Sequence, residues 1–223
     1  MDLNAPLLLY CERLGPGPWA EPLNVVSNVG FFWFAWKLGA QGAAAAAGLA
    51  PRMRLLALLI ALVGTASVLF HCVATYWANI IDVAAIGLFN LVYLVIFLRT
   101  IAHWSRRAAV ASAAGFLLCD RAVAALLPAG LLNGSAFYLP ALVALATLTT
   151  HALRVAPVAG RMMHAAALVL VLALAARSGD LGLCAVWPWG THFVWHLLTA
   201  WVLYRLASAL RFDVAGSPAH RSG

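Results

Sequence analysis

Apolar residues in this chain fall into long blocks bounded by charges, turns or aromatic residues. Blocks of about twenty apolar residues match the length a helix needs to cross the hydrocarbon layer of a membrane. Seven such blocks can be drawn, approximately 22 to 38, 53 to 73, 79 to 99, 107 to 127, 135 to 153, 161 to 176 and 190 to 210. The first and sixth are the shortest or the most interrupted by polar residues. The pattern predicts an all-α, polytopic membrane protein built as a seven-transmembrane-helix bundle.

Composition points the same way. Hydrophobic residues make up 65% of the 223 positions and charged residues only 9%, with a mean hydropathy of +0.93. A soluble domain carries about a quarter charged residues and could not hide this much apolar surface. A single membrane domain over 1 to 215 is expected, with a disordered tail from 216 to 223. The first residues, MDLNAPLLLYCERLG, lack the basic start and the apolar length of a cleavable signal peptide.

The basic residues assign a direction. Lys37, Arg52 and Arg54 lie between the first two spans, Arg99, Arg106 and Arg107 between the third and fourth, and Arg154 and Arg161 between the fifth and sixth. Arg205 and Arg211 fall at the end of the seventh. The alternate connections are nearly bare, with Arg177 offset by Asp180 in the sixth. The positive-inside rule then puts the amino terminus outside and the carboxyl terminus in the cytoplasm. On the same reading the net charge of +7 faces anionic headgroups, and no nucleic-acid partner follows from it.

This topology gathers residues far apart in sequence. Ser67 and His71 fall near the outer end of the second span, Asp82 in the first turns of the third, and His192 and His196 in the first turns of the seventh. Ser67 with His71, and His192 with His196, are four apart and so share a helix face. Polar side chains in hydrocarbon usually face the bundle interior and mark ligands or proton carriers. Three imidazoles with one open position are a recurrent catalytic zinc set, with His71, His192 and His196 as the ligands. Asp82 could then move a proton, and Ser67 could donate to a developing oxyanion.

Blander roles compete with these. A membrane histidine often makes only an interhelical hydrogen bond, and a helical serine can bond to the preceding turn. His103, His151 and His164 fall on the opposite side, and His220 in the tail, so none joins the site. Asp120 and Arg121 are adjacent, point in different directions, and are expected to find other polar partners. At the amino end, Glu12, Glu21, Asn24 and carbonyls of CERLGPGPWAEP offer hard oxygen ligands suited to calcium, although two carboxylates are few. An ordinary solvent-facing loop is the alternative there. Cys11 and Cys184 are assigned to the oxidising outer side, and Cys72 and Cys119 also lie near it, so four cysteines permit three complete pairings, of which Cys11 with Cys184 is favoured as a tether of the amino-terminal segment to the sixth connection.

The segments YCER, AEPLNVVSN, GTASVLFH followed by Asp82, and GTHFVWH, in this order from Tyr10 to His196, closely resemble the alkaline ceramidase family. That family belongs to a wider group of seven-helix membrane hydrolases related to adiponectin receptors. The resemblance implies zinc on His71, His192 and His196, proton transfer by Asp82, and contact of Ser67 with the reacting centre. It also implies hydrolysis of the amide of ceramide, or of a related N-acyl lipid, to a sphingoid base or amine and a fatty acid. Two departures stand out. The family's acidic residue before Cys-Glu and asparagine after it are missing from LLLYCERLG, although Glu12 and Glu21 match its calcium ligands. Its Asp-Glu-Leu-Pro-Met stretch is reduced to Asp82 followed by VAAI, which bears on headgroup preference.

Three other classes are consistent with membrane histidines. A seven-helix receptor or interaction protein could keep zinc structurally, and a haem carrier could use the same residues. A retinal protein is disfavoured because the only lysine, Lys37, lies at the end of the first span. The expected partner is a membrane lipid, and the expected location is a bacterial inner membrane with the site opening toward the periplasm.

Overall fold

A computed structural model describes residues 2–43, 45, 48–128 and 130–212. The tail expected over 216 to 223 lies outside these residues. Each apolar block becomes a helical rod. Helices α1 (Pro22–Ser27) and α2 (Val29–Ala43) are separated only by Asn28 and form one broken rod. There follow α3 (Ala50–Val73), α4 (Tyr76–Thr100), α5 (Arg106–Leu126), a single 3-10 turn (Ser135–Tyr138) leading into α6 (Leu139–Val155), α7 (Pro157–Leu183) and α8 (His192–Ala209). The architecture is an all-α bundle of seven rods.

Local sequence sets several of the helix ends. Proline stands in the first turn of α1, α3, α6 and α7, where its missing N–H has no helical partner to lose. Ser105 caps α5 by accepting the Ala108 N–H at 3.2 Å. Helix α8 sits inside the bundle, packed along α7 and α2 and touching α1 and α3, whereas α5 leans mainly on α4, with lighter contact to α6 and the 3-10 turn. Helices α2 and α3 approach closely because Gly64 has no side chain: a Cβ there would stand 2.7 Å from the Phe31 Cβ.

The outward faces are apolar, with Leu58, Leu118, Val143 and Leu172 all exposed. Five of the rods are long and apolar enough to cross a membrane by length and composition. With no water to satisfy backbone groups in hydrocarbon, closed helices are the form such segments take, and the bundle is that of a multi-pass membrane protein.

Two details differ from the sequence expectation. The sixth block, drawn as one of the shortest, is the longest helix at 27 residues and carries both Arg177 and Asp180. These two charges do not offset each other. Arg177 donates to the Asn133 carbonyl, to Ser135 Oγ at 3.2 Å and to the Tyr10 hydroxyl at 3.2 Å, while Asp180 accepts backbone N–H groups of Cys11, Thr191 and His192. Because distant segments partner both charges, the helix need not stop at them. Conversely, Asp120 and Arg121 do pair with each other, Nη2 to Oδ2 at 2.9 Å, because the long guanidinium stem can fold along an exposed helix surface.

The amino-terminal segment runs as a strap across one end of the bundle. Its Leu7 N–H reaches the Ala74 carbonyl at 2.8 Å, and the Tyr76 N–H returns to the Ala5 carbonyl at 3.1 Å. A disulfide joins Cys11 to Cys184, with Cα atoms 5.4 Å apart, which is the favoured pairing; Cys72 and Cys119 are free.

Candidate metal centre

Beneath the strap, three helices bring their polar residues to one end of the bundle. His71 lies two residues before the end of α3, Asp82 in the second turn of α4, and His192 and His196 in the first two turns of α8. The three imidazoles are at most 3% exposed, and one ligand nitrogen from each falls within 4.8 Å of the others. His71 Nε2 and His196 Nε2 are 3.1 Å apart. Two imidazoles sharing a tetrahedral zinc at about 2.0–2.1 Å would hold their nitrogens about 3.3 Å apart, so the donor set fits the metal. His192 Nδ1 is buried with no protein partner, which also leaves a nitrogen free in the cluster.

The remaining ring nitrogens are tethered. His71 Nδ1 meets Glu21 Oε2 at 2.6 Å, and His196 Nδ1 meets Ser27 Oγ at 2.8 Å. Ser27 spends its own hydrogen on the Asn24 carbonyl at 3.1 Å, so the His196 Nδ1–H must be the donor to it. Both tethers leave Nε2 as a lone pair aimed into the cluster. Such outer partners fix tautomer and ring orientation in metal sites. The Tyr10 ring stacks on His192 with centroids 3.6 Å apart. Burial raises the Tyr10 pKa, keeping its hydroxyl neutral beside Arg177.

Helix α8 is held in register by Asp180. Its Oδ1 accepts Thr191 N at 2.6 Å and His192 N at 2.9 Å, two donors that a helix start leaves without intrahelical partners, while Oδ2 accepts Cys11 N at 2.8 Å. Gly190 makes this possible. Its φ is +66°, and a Cβ there would run into the Asp180 carboxylate and approach the Cys11 Cβ to 2.7 Å.

Ser67 is buried, with Oγ 3.5 Å from His196 Nε2. Asp82 keeps one carboxylate oxygen buried without a protein partner, within electrostatic reach of His71 and Arg177. An apolar cleft lies along the inner faces of α4, α6 and α8, lined in part by Asn90, Tyr93, Tyr138, Trp195, Thr199 and Leu203. Ile86 and Asn90 follow Asp82 on α4 at helical spacing, and Trp195 and Thr199 flank His196 on α8, so the two helices that carry site residues also line the cleft.

A family model described as Ceramidase matches residues 17–218. The chain belongs to the ceramidase family. No curated protein and no solved structure matches it. The ceramidase match covers the whole set of helices and every histidine of the cluster.

Calcium, weighed as one reading of Glu12 and Glu21 in this ceramidase-family chain, meets carboxylates that already have protein donors. Glu12 accepts Leu23 N at 2.6 Å and Asn24 N at 2.9 Å, capping the start of α1. Burial raises its pKa, against those two N–H donors. Glu21 is filled by the Arg13 guanidinium on Oε1, and by His71 Nδ1 and Asn24 Nδ2 on Oε2. Burial pushes the Glu21 carboxyl up, but the hydrogen bond and charge of His71, then the hydrogen bonds of Arg13 and Asn24, outweigh it and hold the pKa below the usual range. Calcium gathers about six to eight oxygens; the four carboxylate oxygens of Glu12 and Glu21 are committed to protein donors, whereas the buried Asn24 Oδ1 and Asn28 Oδ1 have no protein partner. Sequence reasoning passed over Arg13, Ser27 and Asp180. Of these only Asp180, a carboxylate in an apolar stretch, carried a signal that could have singled it out.

Proposed function

We propose that this ceramidase-family protein is a zinc-dependent intramembrane amide hydrolase acting on ceramide or a related N-acyl lipid, releasing a fatty acid and a sphingoid base or amine. The observation that carries the proposal is the cluster of three buried imidazoles, two of them tethered through Nδ1 so that Nε2 faces a common point. Bound zinc supplies Lewis-acid polarisation of a carbonyl and brings the pKa of water down to about 7.

Each of the chain's own residues has a defined part in this reading. His71, His192 and His196 hold the ion, Glu21 and Ser27 fix two of the rings, and the Tyr10 face limits the third. Ser67, beside His196, donates its hydroxyl hydrogen to the amide oxygen as that oxygen gains charge. Asp82 accepts a proton from the attacking water and delivers it to the departing nitrogen as the C–N bond breaks and the new C–O bond forms. The cleft along α4, α6 and α8 takes an acyl chain by burying it against apolar walls, with entry sideways from the bilayer. The arginines gathered at the opposite end of the bundle support an orientation with the amino terminus outside, and the reading adds a bacterial inner membrane with the site toward the periplasm.

The test pairs metal analysis of purified protein with release of fatty acid from acyl-labelled ceramide. Wild type is expected to carry one zinc and to hydrolyse the lipid. His196→Ala should lose both, and Asp82→Asn should keep zinc and lose about 10²–10⁴-fold in rate. Zinc retained in full by His196→Ala, or no N-acyl lipid cleaved by zinc-loaded wild type, would overturn the proposal; the latter favours a receptor with structural zinc.

A further inference from the structure

We infer that Arg13 is a built-in cation that occupies the place of a divalent ion between the strap and the first helix, and that it positions His71. The loop CERLGPGPWAEP carries carboxylates and carbonyls of the kind a hard cation collects. The Arg13 guanidinium sits among them. Its Nε donates to Glu21 Oε1, its Nη1 to the Gly15 carbonyl at 3.2 Å, and its Nη2 to the His71 carbonyl at 2.6 Å. The Arg13 side chain is 3% exposed and that of Glu21 2%, so the pair is closed off from solvent.

Two physical reasons favour a fixed guanidinium here. The His71 carbonyl lies in the last turn of α3, where backbone oxygens have no helical N–H to accept, and the helix end carries partial negative charge. Arg13 supplies both the missing donor and the opposite charge. It thereby grips His71 twice: directly at the backbone carbonyl, and through Glu21 at ring Nδ1. A planar fork with three nitrogens donating in fixed directions joins positions 13, 15, 21 and 71 as a coordinated ion would join its ligands. A dication could bind Glu21 Oε1 only by expelling a buried guanidinium from that carboxylate, which would leave a charge unpaired.

Arg13 is a positioning residue, and its zinc-linked effect rests on the function proposed above. The experiment therefore reads metal binding rather than hydrolysis. Intact wild-type protein in detergent is titrated with calcium by calorimetry up to about a millimolar, the range of weak extracellular calcium sites. No stoichiometric uptake is expected, and one bound calcium per chain would overturn the inference. Zinc affinity is measured by competition with a chromophoric chelator, alongside the visible spectrum of the cobalt(II)-substituted protein. Arg13→Ala should weaken zinc binding by about 10–100-fold and alter the cobalt spectrum. Arg13→Lys, which keeps the charge without the fork, should regain only part of the affinity and serves as the readout if the alanine variant fails to fold. Wild-type zinc affinity and cobalt spectrum in a folded Arg13 variant would overturn the positioning role. If wild type binds no zinc, the functional proposal fails and the positioning role with it, while the calcium titration still judges the cation role.

Discussion

The two ends of the bundle carry charge in opposite ways. At the strap end, Arg13, Glu21, Arg177 and Asp180 are drawn into the protein, and each is matched to named donors or acceptors from distant segments. At the other end, Arg52, Arg54, Arg99, Arg106, Arg107, Arg154 and Arg161 all stand exposed at helix termini. Exposed basic residues at a membrane face orient the chain and contribute little to stability individually. Buried ones must be paired and hydrogen-bonded, and their geometry is correspondingly specific. The contrast separates exposed charges at helix termini from those that build a site.

That contrast can be broken most severely at Asp180. Replacing it with alanine removes the acceptor of three backbone N–H groups, including that of His192. Hydrogen bonds to a charged group contribute about 1.5–3 kcal/mol, so a loss of about 3 kcal/mol is expected in denaturant unfolding in detergent, with reduced zinc content. Glu21→Gln sharpens the comparison with a smaller change. It keeps the shape but gives His71 Nδ1 a weaker partner and leaves the buried Arg13 without its countercharge, so zinc affinity should fall by about 10–100-fold in chelator competition. At the opposite end, Arg106→Ala should leave stability within about 0.5 kcal/mol and zinc affinity unchanged, and a large effect there would erase the distinction between the ends.

How much of this the sequence revealed depends on the range of the interaction. The seven rods follow from blocks of apolar residues, a local property, and each overlaps the block drawn for it, although α7 runs past both ends of its own. The histidine cluster was legible because four-residue spacing on α3 and α8, combined with alternating helix direction, sets the side chains at one depth. The end of α7 was not. Arg177 and Asp180 resemble a polar stop, and only contacts with Tyr10, Asn133, Cys11 and His192 explain why the helix runs through them. The tethers Ser27 and Arg13 were hidden for the same reason, since a serine and an arginine beside a loop have no local signature of the ring or carbonyl they will hold. Glu12 and Glu21 misled in the opposite sense. Their chemistry suits a cation, but Glu12 accepts two backbone N–H groups and Glu21 takes Arg13, a cation of the chain itself.

The sulfur bond and the Asp180 carboxylate meet at a single joint. Cys11 is tied to Cys184 through its side chain and to Asp180 through its amide, and the same carboxylate anchors the first turn of α8. Opening that bond with a reductant would free the strap and slacken the anchor beneath His192 together, so a chain whose thiols have not yet been oxidised would be poorly prepared to receive its metal. On the proposed reading, maturation of the centre would depend on whether the bond between Cys11 and Cys184 has formed.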